Sequence, residues 1–220
     1  MTLQIGMLGQ DGVILAGDSR INAKPIPGAD APWMSYEGQK IHISKSGRVA
    51  VSCAHDLQSG SRVAEAIFAQ MTYGDHPGCE REIEELGAAA AQGRDIQCMV
   101  AFADPLPSIY IYTHAKVGDS QLNDCQRIIS CAPAGDCRNP AAFWGMTYYK
   151  QLPIDKLKRL AACIVVAGGK LNSAMIGGFE MVLCTKGGCV RVDEASTKEL
   201  ERQAHAKMQT IGELIMSENP

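Results

Sequence analysis

The spacing of apolar positions divides the chain into alternating blocks of strands and helices. Residues 3–9 and 12–17 read as two strands around Asp11-Gly12, a pair that accepts positive φ in tight turns. Residues 21–37 hold Pro25, Pro27, Pro32, Gly28 and Trp33 and read as a loop. Strands follow at 39–44 and 48–54, separated by Ser44-Lys-Ser-Gly-Arg48. Val63, Ala66, Ile67, Ala69 and Met71 then recur at helical spacing over 57–72. A second helix is predicted over 79–92, ending before Gly93, with Ile83, Leu86 and Ala90 on one face.

Strands return at 97–103 and 108–113, with Pro105 and Pro107 between them. The polar residues 114–126 read as a loop, and Ile128 to Cys131 as a short strand. Helices are expected near 139–150 and 154–167, and strands at 179–185 and 188–192 across Lys186-Gly-Gly188. Ser196-x-x-Glu199 has the form of a capping box, opening a last helix that runs to residue 215. Two sheets face to face with helices outside would accommodate this order. No internal repeat or domain boundary is visible.

Composition narrows the class. The 220 residues suit one domain of ordinary size, able to bury about 70 % of its unfolded surface. Hydrophobic residues at 46 % and charged residues at 20 % fit a soluble globular chain. A net charge of −3, with no basic stripe or tail, argues against nucleic-acid binding. No apolar run is long enough to cross a bilayer, and no secretory signal pattern opens the chain. The nine cysteines are odd in number, and several sit in apolar runs such as Ala161-Ala-Cys-Ile-Val-Val166. Reduced, mostly buried thiols in a cytoplasmic protein are therefore expected, and no zinc-type Cys-x-x-Cys pair is present.

The chemistry of interest begins at Thr2. By itself it is a small second residue, as in very many chains. Removal of Met1 would give one residue both a hydroxyl nucleophile and an α-amine to serve as its base. The amine, with a reference pKa of about 7.7–8.0, is partly neutral near neutrality. A neighbouring ammonium would lower that pKa further, and would itself need a carboxylate to stay charged and in place.

The run Thr2…Gly6…Asp11-Gly12-Val-Ile-Leu-Ala16…Asp18-Ser-Arg20, then Gln39-Lys40-Ile41-His-Ile and Val49-Ala-Val-Ser-Cys-Ala54, resembles proteasome β-subunits. Within that family the pattern looks most like the single-gene bacterial relatives. The match is tight to residue 70 and can be followed, more loosely, to residue 190. The resemblance implies an α+β fold over 1–220, the four-layer α/β/β/α sandwich of two antiparallel sheets found in N-terminal-nucleophile hydrolases. It implies a threonine-type peptidase in which Thr2 attacks, Lys40 tunes the amine and Asp18 partners Lys40. Arg20 would brace the adjoining loop, and Ile21, Asn22, Cys53 and Leu57 would wall a small, mostly apolar substrate pocket. It further implies a homo-oligomeric ring acting on peptides or unfolded proteins, without metal or organic cofactor. Any unfoldase partner is left unidentified, and neither nucleic acid nor membrane is expected as a partner. Met1 is expected to be the only residue preceding the nucleophile.

The chain departs from the family pattern in three places. Ala54-His55 stands where the family has Ala-Gly, whose glycine N–H serves as oxyanion donor; His55 keeps that N–H but adds a titratable side chain. Ala134-Gly135-Asp136 replaces Gly-Ser-Gly and lacks the serine. Asn172-Ser-Ala-Met-Ile-Gly177-Gly178 lacks the family's aspartate, leaving Ser173 as the nearest stand-in. These losses leave two alternatives open: a catalytically weak or silent ring-forming scaffold, and an amidase for small non-peptide amides. Other candidates are weaker. Gly168-Gly-Lys170 lacks the spacing and the hydroxyl of a phosphate loop, Cys131 and Cys137 have no flanking histidine motif, and His76 and His114 sit singly in polar stretches.

Overall fold

The computed structural model describes residues 2–23 and 34–216. Met1 and residues 24–33, the middle of the expected 21–37 loop, lie outside the described residues. In chain order the elements are β1 (Leu3–Leu8), β2 (Val13–Gly17), β3 (Arg20–Ala23), β4 (Met34–Glu37), β5 (Ile41–Ile43), β6 (Val49–His55), α1 (Leu57–Gln70) and α2 (Cys79–Ala91). They continue with β7 (Ile96–Phe102), β8 (Ser108–Val117), β9 (Ser120–Arg127), β10 (Cys131–Gly135), α3 (Pro140–Tyr148), α4 (Ile154–Leu171), β11 (Glu180–Thr185), β12 (Gly188–Arg191) and α5 (Glu194–Met216). The fold is mixed α+β. One sheet runs β10-β1-β2-β11-β12, another β5-β6-β7-β8-β9, and β3 pairs with β4. Every pairing is antiparallel.

Strand alternation sorts the apolar side chains into three cores. On β2, Ile14 and Ala16 join a cluster with α3, α4 and α5, while Val13 and Leu15 face the second sheet. On β6, Val49, Val51 and Cys53 pack against α1 and α2, and Ala50 turns the other way. The cluster containing Val13, Leu15, Ala50, Met99 and Val182 is shared by the two five-stranded sheets. Each fully buried Val, Leu or Ile in these clusters contributes about 1.5–3 kcal/mol. All nine cysteines carry free thiols.

The differences from the sequence expectations have local causes. Residues 114–126 are no loop but the far half of a hairpin, β8–β9, turned at Gly118 with φ +62°. Its outer strand is exposed at most positions, so the apolar alternation that marks a strand is missing. Arg20 to Ala23 and Met34 to Glu37 likewise form a hairpin stem where a loop was expected. The strand expected at Ile128–Cys131 lies instead at Cys131–Gly135, where Pro133 is tolerated because β10 is an edge strand.

Helix α4 runs on through Gly168-Gly169 to Leu171, and Gly168 serves packing and not termination: a Cβ there would lie 2.2 Å from Leu3. The last helix starts two residues before the predicted box: Asp193 Oδ1 accepts the Ser196 N–H at 2.9 Å, making aspartate the cap. The β1–β2 turn closes by a Gly9 N–H bond to Gly12 C=O, 2.7 Å, without positive φ at Asp11 or Gly12. Gly12 is required there because any Cβ would sit 2.7 Å from the Cys184 carbonyl oxygen.

Gly87 shows how closely α2 packs on β8: an added Cβ would lie 2.3 Å from Tyr112 Cζ. Gly87→Ala should therefore destabilise the protein by about 1–3 kcal/mol in urea denaturation, although alanine is the better helix former.

Candidate functional site

Thr2 lies one residue before β1, Asp18 one residue after β2, and Lys40 one residue before β5. The β1–β2 register sets Gln4 opposite Gly17, which puts Asp18 beside Leu3 and so beside Thr2. Asp18 Oδ1 accepts the Leu3 N–H at 2.9 Å, and Asp18 Oδ2 accepts from Lys40 Nζ at 2.8 Å. Lys40 Nζ also donates to Thr2 Oγ1 at 3.1 Å. Asp18 is 0 % and Lys40 3 % exposed, so the ion pair is removed from water. Burial raises the Asp18 carboxyl above its ordinary pKa, against the opposing attraction of Lys40 and its hydrogen bonds. These three predicted residues come together.

Thr2 opens onto a cleft of about 510 Å³ lined by His55, Gly135, Asp136, Cys137, Arg138 and Met175. Its carbonyl oxygen accepts the Asp136 N–H at 2.7 Å. Gly135 has φ +80°, and a Cβ there would lie 2.1 Å from that carbonyl oxygen, so only glycine fits. The Gly135 N–H is held at 2.8 Å by Gln97 Oε1 from the other sheet. Gln4 crosses in the reverse direction, donating to Cys53 C=O at 2.7 Å and accepting from Ser52 Oγ at 2.9 Å. In the sequence Gly135 and Asp136 stand out only as a departure from the family pattern and Cys137 as an unsupported thiol, while Arg138 and Gln97 carry no signal. The signal available was Gly135, in the segment where the family's serine is absent.

His55 is exposed and adopts φ +72°, the left-handed conformation that glycine takes most readily. The backbone shape expected of a glycine is thus kept with a histidine in place. Cys53 N–H donates to Lys40 C=O at 2.9 Å, so strand alternation points the His55 N–H to the same edge, beyond the end of the contact with β5.

The other predicted residues serve differently. Arg20 Nη1 donates to the Ser173 carbonyl at 2.5 Å, bracing the segment before β11. Ser173 itself is exposed, and among the described residues no hydrogen bond joins its hydroxyl to Thr2. Asn22 Nδ2 donates to Met175 C=O at 2.8 Å and so anchors a cleft residue without lining the cleft. Ile21 packs over Gly38. Cys53 is 1 % exposed and faces Cys98 on the helix side of β6, and Leu57 packs on the same core. Among the described residues, the cleft is lined by His55 of the expected pocket residues and not by Ile21, Asn22, Cys53 or Leu57, and its rim carries charge from Asp136 and Arg138.

The chain superposes along almost its whole length on Anbu structures. With an Anbu (Gly-1) mutant from Hyphomicrobium sp. strain MC1 the TM-score is 0.68 at 12 % identity, covering 99 % of this chain and 100 % of that one. With Anbu (ancestral beta-subunit) from Yersinia bercovieri it is 0.66 at 12 % identity, covering 100 % and 99 %. With a helical assembly of the Anbu complex from Pseudomonas aeruginosa it is 0.65 at 15 % identity, covering 99 % and 98 %. The chain has the Anbu fold.

No family model matches the chain, and no curated protein matches it by sequence. The Anbu matches correct the resemblance to proteasome β-subunits and their single-gene bacterial relatives: the fold is proteasome-like, but the chain is not a typical proteasome β-subunit. The departures at His55, Ala134-Gly135-Asp136 and 172–178 agree with that correction.

Two stability measurements probe the site. Asp18→Ala leaves the Lys40 ammonium buried without a counter-charge and should cost about 3–5 kcal/mol. Asp18→Leu combined with Lys40→Met should recover part of that loss in the same urea titration, because it leaves no unpaired charge, the remainder being the Leu3 N–H left without its acceptor. His55→Gly removes a left-handed penalty of about 1–2 kcal/mol but adds about 0.5–1 kcal/mol of unfolded-state entropy. A net gain of up to about 1.5 kcal/mol is expected, read as a higher denaturation midpoint.

Proposed function

We propose that the chain is a threonine-type N-terminal-nucleophile hydrolase of peptide bonds, acting within a self-associated, proteasome-like ring. The observation that carries this reading is the position of Lys40 Nζ, 3.1 Å from Thr2 Oγ1 and 2.8 Å from Asp18. Once Met1 is removed, the Thr2 α-amine takes the hydroxyl proton as Oγ1 attacks the substrate carbonyl. The Lys40 charge disfavours protonation of that amine and keeps it available as a base. The His55 N–H is the donor proposed for the tetrahedral oxyanion. The amine then returns its proton to the leaving amine, and water hydrolyses the resulting ester.

The four-layer α/β/β/α arrangement of this enzyme class belongs to the same proposal. It is supported by one core shared between the sheets and two that join each sheet to its own helices. The helical assembly of the Pseudomonas Anbu complex supports self-association here. The exposed position of Ser173, and the lack of an aspartate in 172–178, favour a second reading: a ring-forming scaffold that turns over nothing.

Intact mass before and after a threonine-directed covalent inhibitor separates the two. The enzyme reading expects loss of one methionine and a single adduct, absent from Thr2→Ala. It also expects Thr2→Ala to lower kcat on a fluorogenic peptide by on the order of 10³-fold or more. A full-length mass that never shifts, with no turnover of peptides or small amides, supports the scaffold.

A further inference from the structure

β5 is three residues long and lies at the edge of its sheet, and Lys40 precedes it in a stretch, 38–40, without regular structure. The lysine's backbone therefore has little strand pairing to hold it. The Cys53 N–H reaches Lys40 C=O at 2.9 Å, so alternation turns the peptide groups of Ile41 to the open edge. Such an edge is ordinarily closed by another strand, by water or by a cover.

Here two side chains from the other sheet close it. Glu180 Oε1 accepts the Lys40 N–H at 2.6 Å and the Ile41 N–H at 3.2 Å. Arg191 Nη1 pairs with Glu180 Oε2 at 2.5 Å, while its Nη2 donates to Ile41 C=O. One carboxylate and one guanidinium thus supply the acceptor and donor that a neighbouring strand would have offered. Glu180 is 8 % exposed, and burial raises its carboxyl in spite of these bonds. A charge pair whose carboxylate is buried is a costly way to close an edge. What it provides in return is direction.

We infer that the Glu180–Arg191 pair is the positioning device for Lys40, fixing the backbone of residues 40–41 so that Nζ arrives between Asp18 and Thr2. The inference rests on the role given to Lys40 in the proposed function. A lysine has four flexible methylenes, so an anchored Cα and the Asp18 contact together determine where its charge sits. A shift of about 1 Å in such a group is enough to cost on the order of 10²-fold in rate. The charged groups around the pair are His42, on whose ring Arg191 acts, and Glu37, Glu194, Lys198 and Glu201, which line the open cleft beside it.

Glu180→Gln and Arg191→Met are to be compared with Asp11→Ala, which removes the carboxylate accepting the Ile154 N–H at the opposite end of β2 from Asp18. Three readouts are taken: amide hydrogen exchange at Lys40 and Ile41, kcat and KM on a fluorogenic peptide, and the pH–rate profile. Exchange at both amides should quicken about tenfold in the two clamp variants. Turnover should drop about tenfold in kcat with KM within roughly twofold of wild type. The midpoint of the rising limb should move to higher pH, since a displaced ammonium depresses the Thr2 amine less. Asp11→Ala should lower the melting temperature and leave all three readouts in place. Unchanged exchange in the clamp variants overturns the inference, as does faster exchange with wild-type kcat and midpoint. If the wild type itself turns over nothing, the proposed function fails, while exchange still decides whether the pair holds Lys40.

Discussion

The buried carboxylate of Asp18 is the constraint on which the site depends. One oxygen holds the amide of Leu3 and the other holds Lys40 Nζ. The first contact fixes the chain next to Thr2, and the second brings a cation from the neighbouring sheet to the threonine hydroxyl. Neither is available from local structure alone, because residues 2, 18 and 40 belong to the ends of three different strands. The ion pair reaches the Thr2 hydroxyl because the β1–β2 hairpin and the start of β5 meet at one place.

Apolar packing alone would leave that meeting loosely defined. The core shared by the two sheets is built of Val, Leu, Ala, Ile, Met and Cys, and such surfaces accept small displacements at modest cost. Directional bonds at the Thr2 end remove that freedom. Gln4 reaches across to Cys53, Gln97 reaches back to Gly135, and Glu180 reaches to Lys40 and Ile41. Each crosses between the sheets and ends on a backbone group, so what is fixed is the path of the chain. Buried hydrogen bonds of this kind are strong when satisfied and costly when broken, which suits them to set the width of a cleft.

The sequence made the strand and helix order legible wherever periodicity was backed by burial, as in β1, β2, α1 and α4. It failed at β9, where solvent faces most positions, and at β10, where Pro133 masks an edge strand. The meeting of Thr2, Asp18 and Lys40 was legible because each residue stands at a strand end in a motif of fixed order. The cleft wall was not. Strand alternation at the end of β6 turns Cys53 toward the helices, where a one-residue difference would invert the answer, and Leu57, the first residue of α1, packs on the same core. The Glu180–Arg191 clamp was equally hidden: the two residues become neighbours only when β11 and β12 pair, and their target lies about 140 residues earlier in the chain.

The electrostatics of this end of the molecule make sense only when stability and placement are weighed separately. Burial raises both Asp18 and Glu180, so the protein's interior disfavours each charge more than its partners favour it. What each carboxylate returns is the acceptor for backbone N–H groups, of Leu3 for Asp18 and of Lys40 and Ile41 for Glu180, which apolar residues would leave unpaired. His55 adds a further cost, a left-handed backbone carried by a residue with a side chain. Three unfavourable features lie around the hydroxyl of Thr2 and the backbone of the lysine that reaches it, while the cores elsewhere are close-packed and apolar. Local energetic conflict of this kind, confined to one end of an otherwise consistent structure, is what a chain shows when geometry at a site is maintained at the expense of stability.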